Sequence, residues 1–308
     1  MSVEILSCSP LCTLQDAGRV GASAVGLSQS GAADEFAFYA ANMLLQNPPN
    51  TPMLEIAFGN SVFEALASFE AVVTGAKVSL HVEEKPVPLW QTFRVEKGQR
   101  LRLGMAESGQ WVYVAFKGVM DAPLLFGSTS TSVKEGIGGQ RFWKGDRVAF
   151  APQTLPHSAR LKECYVPDYD APLTLRVVLG YQEAHFAPKE KARFFESKYT
   201  ITKESNRMGY RLEGPAVGYG GGGIISEGIA FGAVQVPPHG QPIVLLKERQ
   251  SIGGYPKIGS VLGVDCFVLA QRPVGATVRF APISMEEGAS IMREFYTAMG
   301  FGERKIGL

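Results

Sequence analysis

The hexapeptide Trp111-Val112-Tyr113-Val114-Ala115-Phe116, closed by Lys117-Gly118, sets the reading of the whole chain. β-Branched and aromatic side chains dominate it, which favours an extended strand. Six further runs of similar character lie at 70–74, 147–150, 173–179, 243–246, 266–270 and 277–280. Between and around them, 35 glycines and 19 prolines punctuate the chain, the pattern of many strands joined by tight turns. The expected fold is mainly β with a few helices.

Three segments carry the helical period instead. Over about 34–46, Phe36, Tyr39, Ala40, Met43 and Leu44 recur at three- and four-residue spacing on one face, and Asp34 is placed to cap the start. After Ser284, Glu287 completes a capping-box pattern, and Ile291, Met292, Phe295 and Met299 form a buried stripe before Gly300. A shorter amphipathic helix is expected around 189–196. Between 152 and 172 prolines and charges alternate without a period, so the domain boundary is placed there. Two domains are expected, 1–165 with the first helix and 172–308 with the last.

A length of 308 residues exceeds what one core usually organises, which supports two domains. With 45% hydrophobic and 19% charged residues, and 30 Lys+Arg against 29 Asp+Glu, the chain has no basic excess for nucleic acid to select. Near-neutrality also leaves little repulsion against partner subunits. Residues 1–12 lack the basic lead and apolar core of a secretory signal, and no apolar run approaches the ~20 residues of a membrane span. A cytoplasmic protein without membrane contact is expected. Cys8, Cys12, Cys164 and Cys266 are scattered, which fits reduced thiols, and no second Cys or His pair accompanies Cys8 and Cys12 at metal-ligand spacing. No metal site is expected.

Several familiar motifs fail on context. Gly218-Tyr219-Gly220-Gly221-Gly222-Gly223 fits a G-x-G-x-x-G text pattern but lacks the strand before it and the helix after it, and reads as a flexible loop. No phosphate-binding G-x-x-x-x-G-K-[ST] loop occurs, so any ATP is held without that architecture. His81, His157, His185 and His239 stand in no catalytic motif, and there is no Met-Lys-Met signal for covalent biotin.

Four polar, glycine-rich segments remain. Thr13-Leu14-Gln15-Asp16-Ala17-Gly18-Arg19-Val20-Gly21 precedes Ser28-Gln29-Ser30-Gly31-Ala32-Ala33-Asp34. Glycines let the backbone approach a ligand and Arg19 can bind a carboxylate or phosphate through two parallel hydrogen bonds, although an Asp16–Arg19 turn ion pair reads equally well. Leu125-Phe126-Gly127-Ser128-Thr129-Ser130-Thr131 offers four successive hydroxyls, able to donate to an oxyanion or to line a solvated turn. Ser205-Asn206-Arg207-Met208-Gly209-Tyr210-Arg211 sets two arginines and an amide around a glycine, with Gly232-Ala233-Val234-Gln235-Val236-Pro237 downstream. Gln250-Ser251-Ile252-Gly253-Gly254-Tyr255-Pro256-Lys257-Ile258 reads as a ligand-facing turn, or as a plain one.

Taken in order, T-L-Q-D-x-G-R-x-G, S-G-A-x-D, G-S-x-S-T, S-N-R-M-G-Y-R-L and G-G-Y-P-K-I resemble the hallmark strings of one family over about 11–280. It comprises the C subunit of prokaryotic 5-oxoprolinase, the kinase-inhibitor antagonist KipA and allophanate hydrolase subunit 2, the second part of the urea carboxylase carboxyltransferase domain. Ala33 departs from the usual Met, and Glu248 and Ser251-Ile252 stand where Asp and Thr-Thr are expected. The loss of a hydroxyl at Ile252 removes support from any role needing both.

The resemblance implies two cyclophilin-like β-barrel domains and ATP-dependent hydrolysis of 5-oxoproline to glutamate. ATP and Mg2+ would be used in a complex with 5-oxoprolinase subunits A and B, the KipI-like B component being the most direct partner. The resemblance implies catalytic roles among Asp16, Asp34, Arg207, Gln250 and Lys257. Substrate or nucleotide contacts would fall to Gln15, Arg19, Ser30, Ser128, Thr129, Asn206, Tyr210, Ser251, Gly253, Gly254 and Tyr255. Two other activities remain open: carboxyl transfer to urea or another small amide from carboxybiotin supplied in trans, and a non-enzymatic regulatory role.

Overall fold

Alternation along each strand decides what it covers. In the strand Ser108–Phe116, Val112 and Val114 enter a hydrophobic core while Tyr113 between them serves the opposite face. The computed structural model describes residues 2–139, 141–154, 157–220 and 223–301. They form two units, Met1–Val20 with Ser30–Asp170, and Gly21–Gln29 with Ala171–Leu308.

The first unit holds two sheets. One runs in the order Gly118–Met120, Arg147–Pro152, Ser2–Ser7, Gly59–Ala65, Arg100–Met105, Leu80–Val82 and Lys85–Pro86. The other runs Cys12–Gln15, Met53–Ala57, Ser108–Phe116, Phe69–Lys77 and Phe93–Val95. Both feed one core, in which Val3, Phe63 and Leu101 of the larger sheet meet Leu54, Val73 and Val112 of the smaller. Phe116 and Phe150, one from each sheet, stack at 4.7 Å.

Helix α1, Glu35–Leu44, packs on the smaller sheet, where Thr74 Oγ1 donates to the Ala37 carbonyl at 2.8 Å. The single apolar stripe expected for it is a correction: Glu35, Ala37, Phe38, Tyr39, Ala40, Ala41, Asn42 and Leu44 are all buried, whereas Met43 is exposed. Ala37, Ala40 and Ala41 are small enough to let the helix sink among its neighbours. Asp34 is the N-cap, its Oδ1 accepting from the Ala37 amide at 3.1 Å.

Beneath α1 lies a polar network. Glu55 Oε2 accepts from the Tyr113 hydroxyl and the Ala33 amide, both at 2.7 Å, and the Tyr113 hydroxyl accepts from the Asp34 amide at 2.8 Å. The Tyr169 hydroxyl donates to Asp34 Oδ2 at 2.6 Å. Burial, then the negative charges of Glu55 and Asp34, hold the Tyr113 phenol well above its ordinary pKa.

The second unit is a closed barrel in the order Leu173–Leu179, Lys257–Val261, Ala233–Gln235, Ile243–Leu245, Gly209–Glu213, Lys198–Ile201 and Thr277–Pro282. Closure comes from the parallel pairing of Leu173–Leu179 with Thr277–Pro282. Helix α2, Pro188–Glu196, stacks Phe194 on Phe280 at 4.2 Å. Helix α3, Gly263–Ala270, corrects the strand expected at 266–270. Its run of apolar residues is buried by the barrel, and a short apolar run has no period of its own to separate helix from strand. Helix α4, Met285–Ala298, begins with the expected Ser284–Glu287 capping box.

The mainly-β expectation thus holds, with a closed barrel in the second unit and two sheets around a shared core in the first. Domains expected at 1–165 and 172–308 did not include the excursion of Gly21–Gln29 into the second unit, where Arg249 donates to Gln29 Oε1 at 3.4 Å. The glycine loop at 218–223 lies partly outside the described residues. No helix among the described residues is long and apolar enough to cross a membrane.

Two predictions arise from buried polar contacts. Tyr113→Phe strands the Asp34 amide and one lone pair of Glu55, so unfolding in urea should show a loss of about 1–3 kcal/mol; an unchanged midpoint would remove the network from the account of stability. The second concerns Cys8, whose thiol is lowered from 9.0 to about 7, chiefly by a hydrogen bond with Cys12 and helped by Arg141 against burial and Asp146. Its thiolate fraction rises with pH through that value. Alkylation by iodoacetamide, read by peptide mass, should therefore be half-maximal near pH 7 at Cys8 while buried Cys12 and Cys266 stay unmodified.

Candidate functional site

In the first unit a carboxylate gathers two of the hallmark segments. Asp16 Oδ1 accepts from the Gly18 amide at 2.8 Å, the Ser128 hydroxyl at 2.6 Å and the Ser130 hydroxyl at 2.5 Å. Asp16 Oδ2 accepts from the Thr129 amide at 2.8 Å and its hydroxyl at 3.3 Å. Asp16 is 1% exposed, so these bonds replace the water a charged group would otherwise keep. Arg19 is equally buried and donates to the Ser130 carbonyl. Gln15 Nε2 donates to Thr13 Oγ1 at 3.0 Å and the Thr131 carbonyl at 2.9 Å, which also accepts from Ser30 Oγ at 3.2 Å.

Two glycines permit this convergence. Gly31, at φ 98°, would set a Cβ 2.9 Å from the Ala17 carbonyl carbon and oxygen and the Gly18 nitrogen. Gly138, at φ 97°, would drive one into the Ser130 carbonyl and the Arg19 guanidinium. Gln15, Asp16, Arg19, Ser30, Ser128 and Thr129 are thus brought together, with their polar atoms largely committed to one another. Asp34 belongs instead to the network under α1. A carboxylate that accepts five donors can take a substrate proton only by releasing the loops it holds, which makes Asp16 an organiser rather than a base.

In the second unit the charged cluster is more open. Lys257 ion-pairs with Glu227, which also accepts from the Tyr181 hydroxyl and, at 3.0 Å, from Gln182 Nε2. Lys257 and Tyr181 lower the pKa of Glu227, so it is ionised at neutral pH. The Lys257 amide donates to Gln182 Oε1 at 2.7 Å. Glu227–Gly228 pairs with Ile252–Gly253 as a two-stranded flap, and the Ile229 amide donates to the Ser251 carbonyl at 3.1 Å. Gln250 and Tyr255 are exposed, and Gly254 approaches Ile224 and Ser226 closely enough that a Cβ would lie 3.4 Å from each.

Gln250, Ser251, Gly253, Gly254, Tyr255 and Lys257 therefore share one surface. Arg207 stands at the start of the turn that leads into the barrel strand Gly209–Glu213, its Nε 2.7 Å from Glu248 Oε1. Asn206 shapes its own turn, accepting from the Met208 amide at 2.8 Å. Tyr210 faces the barrel core and commits its hydroxyl to the Ala270 carbonyl at 2.8 Å, away from the cluster.

Glu227, Tyr181, Gln182 and Gln235 were not foreseen. Gln235 carried a signal: it is the one polar residue in Ala233-Val234-Gln235-Val236. Among the described residues no three His, Cys, Asp or Glu side chains assemble as a metal site. Among the cations, Arg19 donates to the Ser130 carbonyl, and Arg207 and Lys257 pair with Glu248 and Glu227.

Comparison with known proteins identifies the family. A family model for the carboxyltransferase domain, subdomain A and B, matches residues 25–282. The chain is 33% identical to the C subunit of 5-oxoprolinase from Haemophilus influenzae, covering 95% of this chain and 94% of that protein. It is 34% identical to the corresponding 5-oxoprolinase C subunit of Escherichia coli, covering 92% of each. The solved K. lactis urea amidolyase superposes with a TM-score of 0.91 at 22% identity, over 98% of this chain but 20% of that much longer one, a likeness of fold. By its hallmark segments, its barrel and these matches, the chain belongs to the carboxyltransferase family of subdomains A and B.

Proposed function

We propose that this chain is the C subunit of an ATP-dependent 5-oxoprolinase, working with subunits A and B to open the lactam of 5-oxoproline to glutamate. The observation that carries this reading is the match to 5-oxoprolinase C subunits from end to end on both sides, 95% of this chain against 94% of the relative. Its direct partner is the KipI-like B component.

A lactam carbonyl is a poor electrophile, and ATP supplies the phosphoryl group that makes its oxygen a leaving group. What this chain contributes is binding and orientation. Neutral amides and hydroxyls on the second unit suit an uncharged carbonyl, and Lys257, held in place by ionised Glu227, favours negative charge as it develops on the reacting oxygen. Arg207, braced by Glu248, is suited to the substrate carboxylate. Asp16 and Asp34 act as positioning residues. The nucleotide and its Mg2+ are assigned to the assembled complex.

Carboxyl transfer to a small amide is the second reading, favoured by the family match itself. An amide oxygen and a ureido oxygen ask for the same donors, so the two differ in what is delivered in trans.

The decisive assay is ATP-dependent glutamate release from 5-oxoproline by the protein alone and by the complex reconstituted with subunits A and B. Turnover confined to the complex supports the proposal; a verified complex without turnover, but active with carboxybiotin and urea, moves it to carboxyl transfer. Within an active complex, Lys257→Met should lower kcat about 10²-fold with assembly intact. Asp16→Asn should act differently: loss of a buried charge-assisted acceptor should cost roughly 3 kcal/mol in urea unfolding of the isolated chain. Full stability in Asp16→Asn would return Asp16 to the candidate bases.

A further inference from the structure

Gln235 lies between Val234 and Val236, both in the barrel core, so alternation places it on the other face of its strand. The register of that strand against Lys257–Val261 shifts between Val234 and Gln235, making Gln235 the partner of Lys257. Such an irregularity re-aims a side chain. Gln235 is 1% exposed, yet its Nε2 finds no hydrogen-bond partner among the described residues. A buried donor left unmatched costs about 1–3 kcal/mol, so the arrangement persists against a stability gradient.

The nitrogen is aimed at Gly253. A Cβ on that residue would stand 2.8 Å from Gln235 Nε2 and 3.6 Å from Gln250 Nε2, so the Gln235 amide already fills the space a side chain there would take, with the Gln250 amide beside it. No left-handed backbone angle demands glycine there. Ile229 Cδ1, 2.7 Å from the same point, supplies an apolar wall. The flap that carries Gly253 is only two residues per strand, short enough to lift without disturbing the barrel ladder.

We propose that Gln235 and Gln250, once the flap carrying Gly253 lifts, form a seat for the carbonyl oxygen of a small amide. Two neutral donors meeting at one point match an oxygen that gains negative charge during reaction, and neighbouring Lys257 adds a positive field. Gln235 is thereby a substrate-contacting residue. The assignment rests on the proposed amide chemistry of this chain, while the seat itself is testable without it.

The test uses two variants and a probe. Gln235→Leu removes the donor while keeping volume; Gly253→Ala sets a methyl group against the Gln235 amide and displaces it. In the reconstituted complex each should lower kcat/KM for 5-oxoproline by about 10²-fold or more, with assembly unchanged and the thermal midpoint of Gln235→Leu equal to or above that of the parent chain. Activity of both variants within twofold of the parent complex would overturn the seat, and a Gln235→Leu chain that fails to fold leaves Gly253→Ala to decide. On the full isolated chain, titration with 2-pyrrolidinone should shift the Gln235 side-chain amide resonances, and Gly253→Ala should abolish that shift. A shift with an inactive complex keeps the seat and discards the oxoprolinase reading; no shift, with activity insensitive to both variants, discards the seat alone.

Discussion

The carboxylate of Asp16 has to be matched on every side, because it is held out of water in the first unit. That constraint reaches far along the chain. It fixes Ser128, Thr129 and Ser130 as donors, requires the Gly18 amide to turn inward, and brings residues more than a hundred positions apart within 2.5–2.8 Å. Gly31 and Gly138 follow from it, since a side chain at either would strike the backbone that this convergence draws in. A string such as G-S-x-S-T is thus explained by one buried charge, without any ligand.

The second unit solves a different problem. Lys257 and Glu227 keep 12% and 30% of their side chains exposed, so the Glu227 carboxylate stays in reach of solvent while the Lys257 ammonium nitrogen is itself buried. A fully buried pair would be locked by its own desolvation cost, whereas a pair with one partner still partly exposed keeps a route to water. Saturation and exposure therefore separate residues whose polar groups are spent on the scaffold from residues that keep some to spare. By this criterion the five hallmark strings differ although they look alike as text.

Much of the fold was legible because strand composition survives even where a strand is covered on both faces. Trp111 to Phe116 and Leu173 to Leu179 reveal themselves by composition, and Ser284 with Glu287 by capping chemistry. The failures have a common cause in tertiary burial. Helix α1 is buried over most of its circumference, with Met43 exposed, so its buried residues exceed one stripe, and α3 is so apolar that it reads as a strand. The excursion of Gly21–Gln29 is set by contacts such as Arg249 with Gln29, about which local sequence is silent. The site was legible in its glycines and hydroxyls, but Gln235 was passed over because a lone amide in an apolar strand looks like a tolerated exception.

That exception is informative because stability alone would select against it. Replacing Gln235 with an apolar residue would remove an unmatched donor. Packing favours glycine at 253, where a Cβ would lie 2.7 Å from Ile229 Cδ1 and 2.8 Å from Gln235 Nε2, but gives no reason for an amide at 235. A donor kept without an acceptor is the arrangement expected where the acceptor arrives with the substrate. Electrostatic preorganisation has this signature in general: the cost is carried by the resting protein, and the return appears only when charge develops on the bound oxygen.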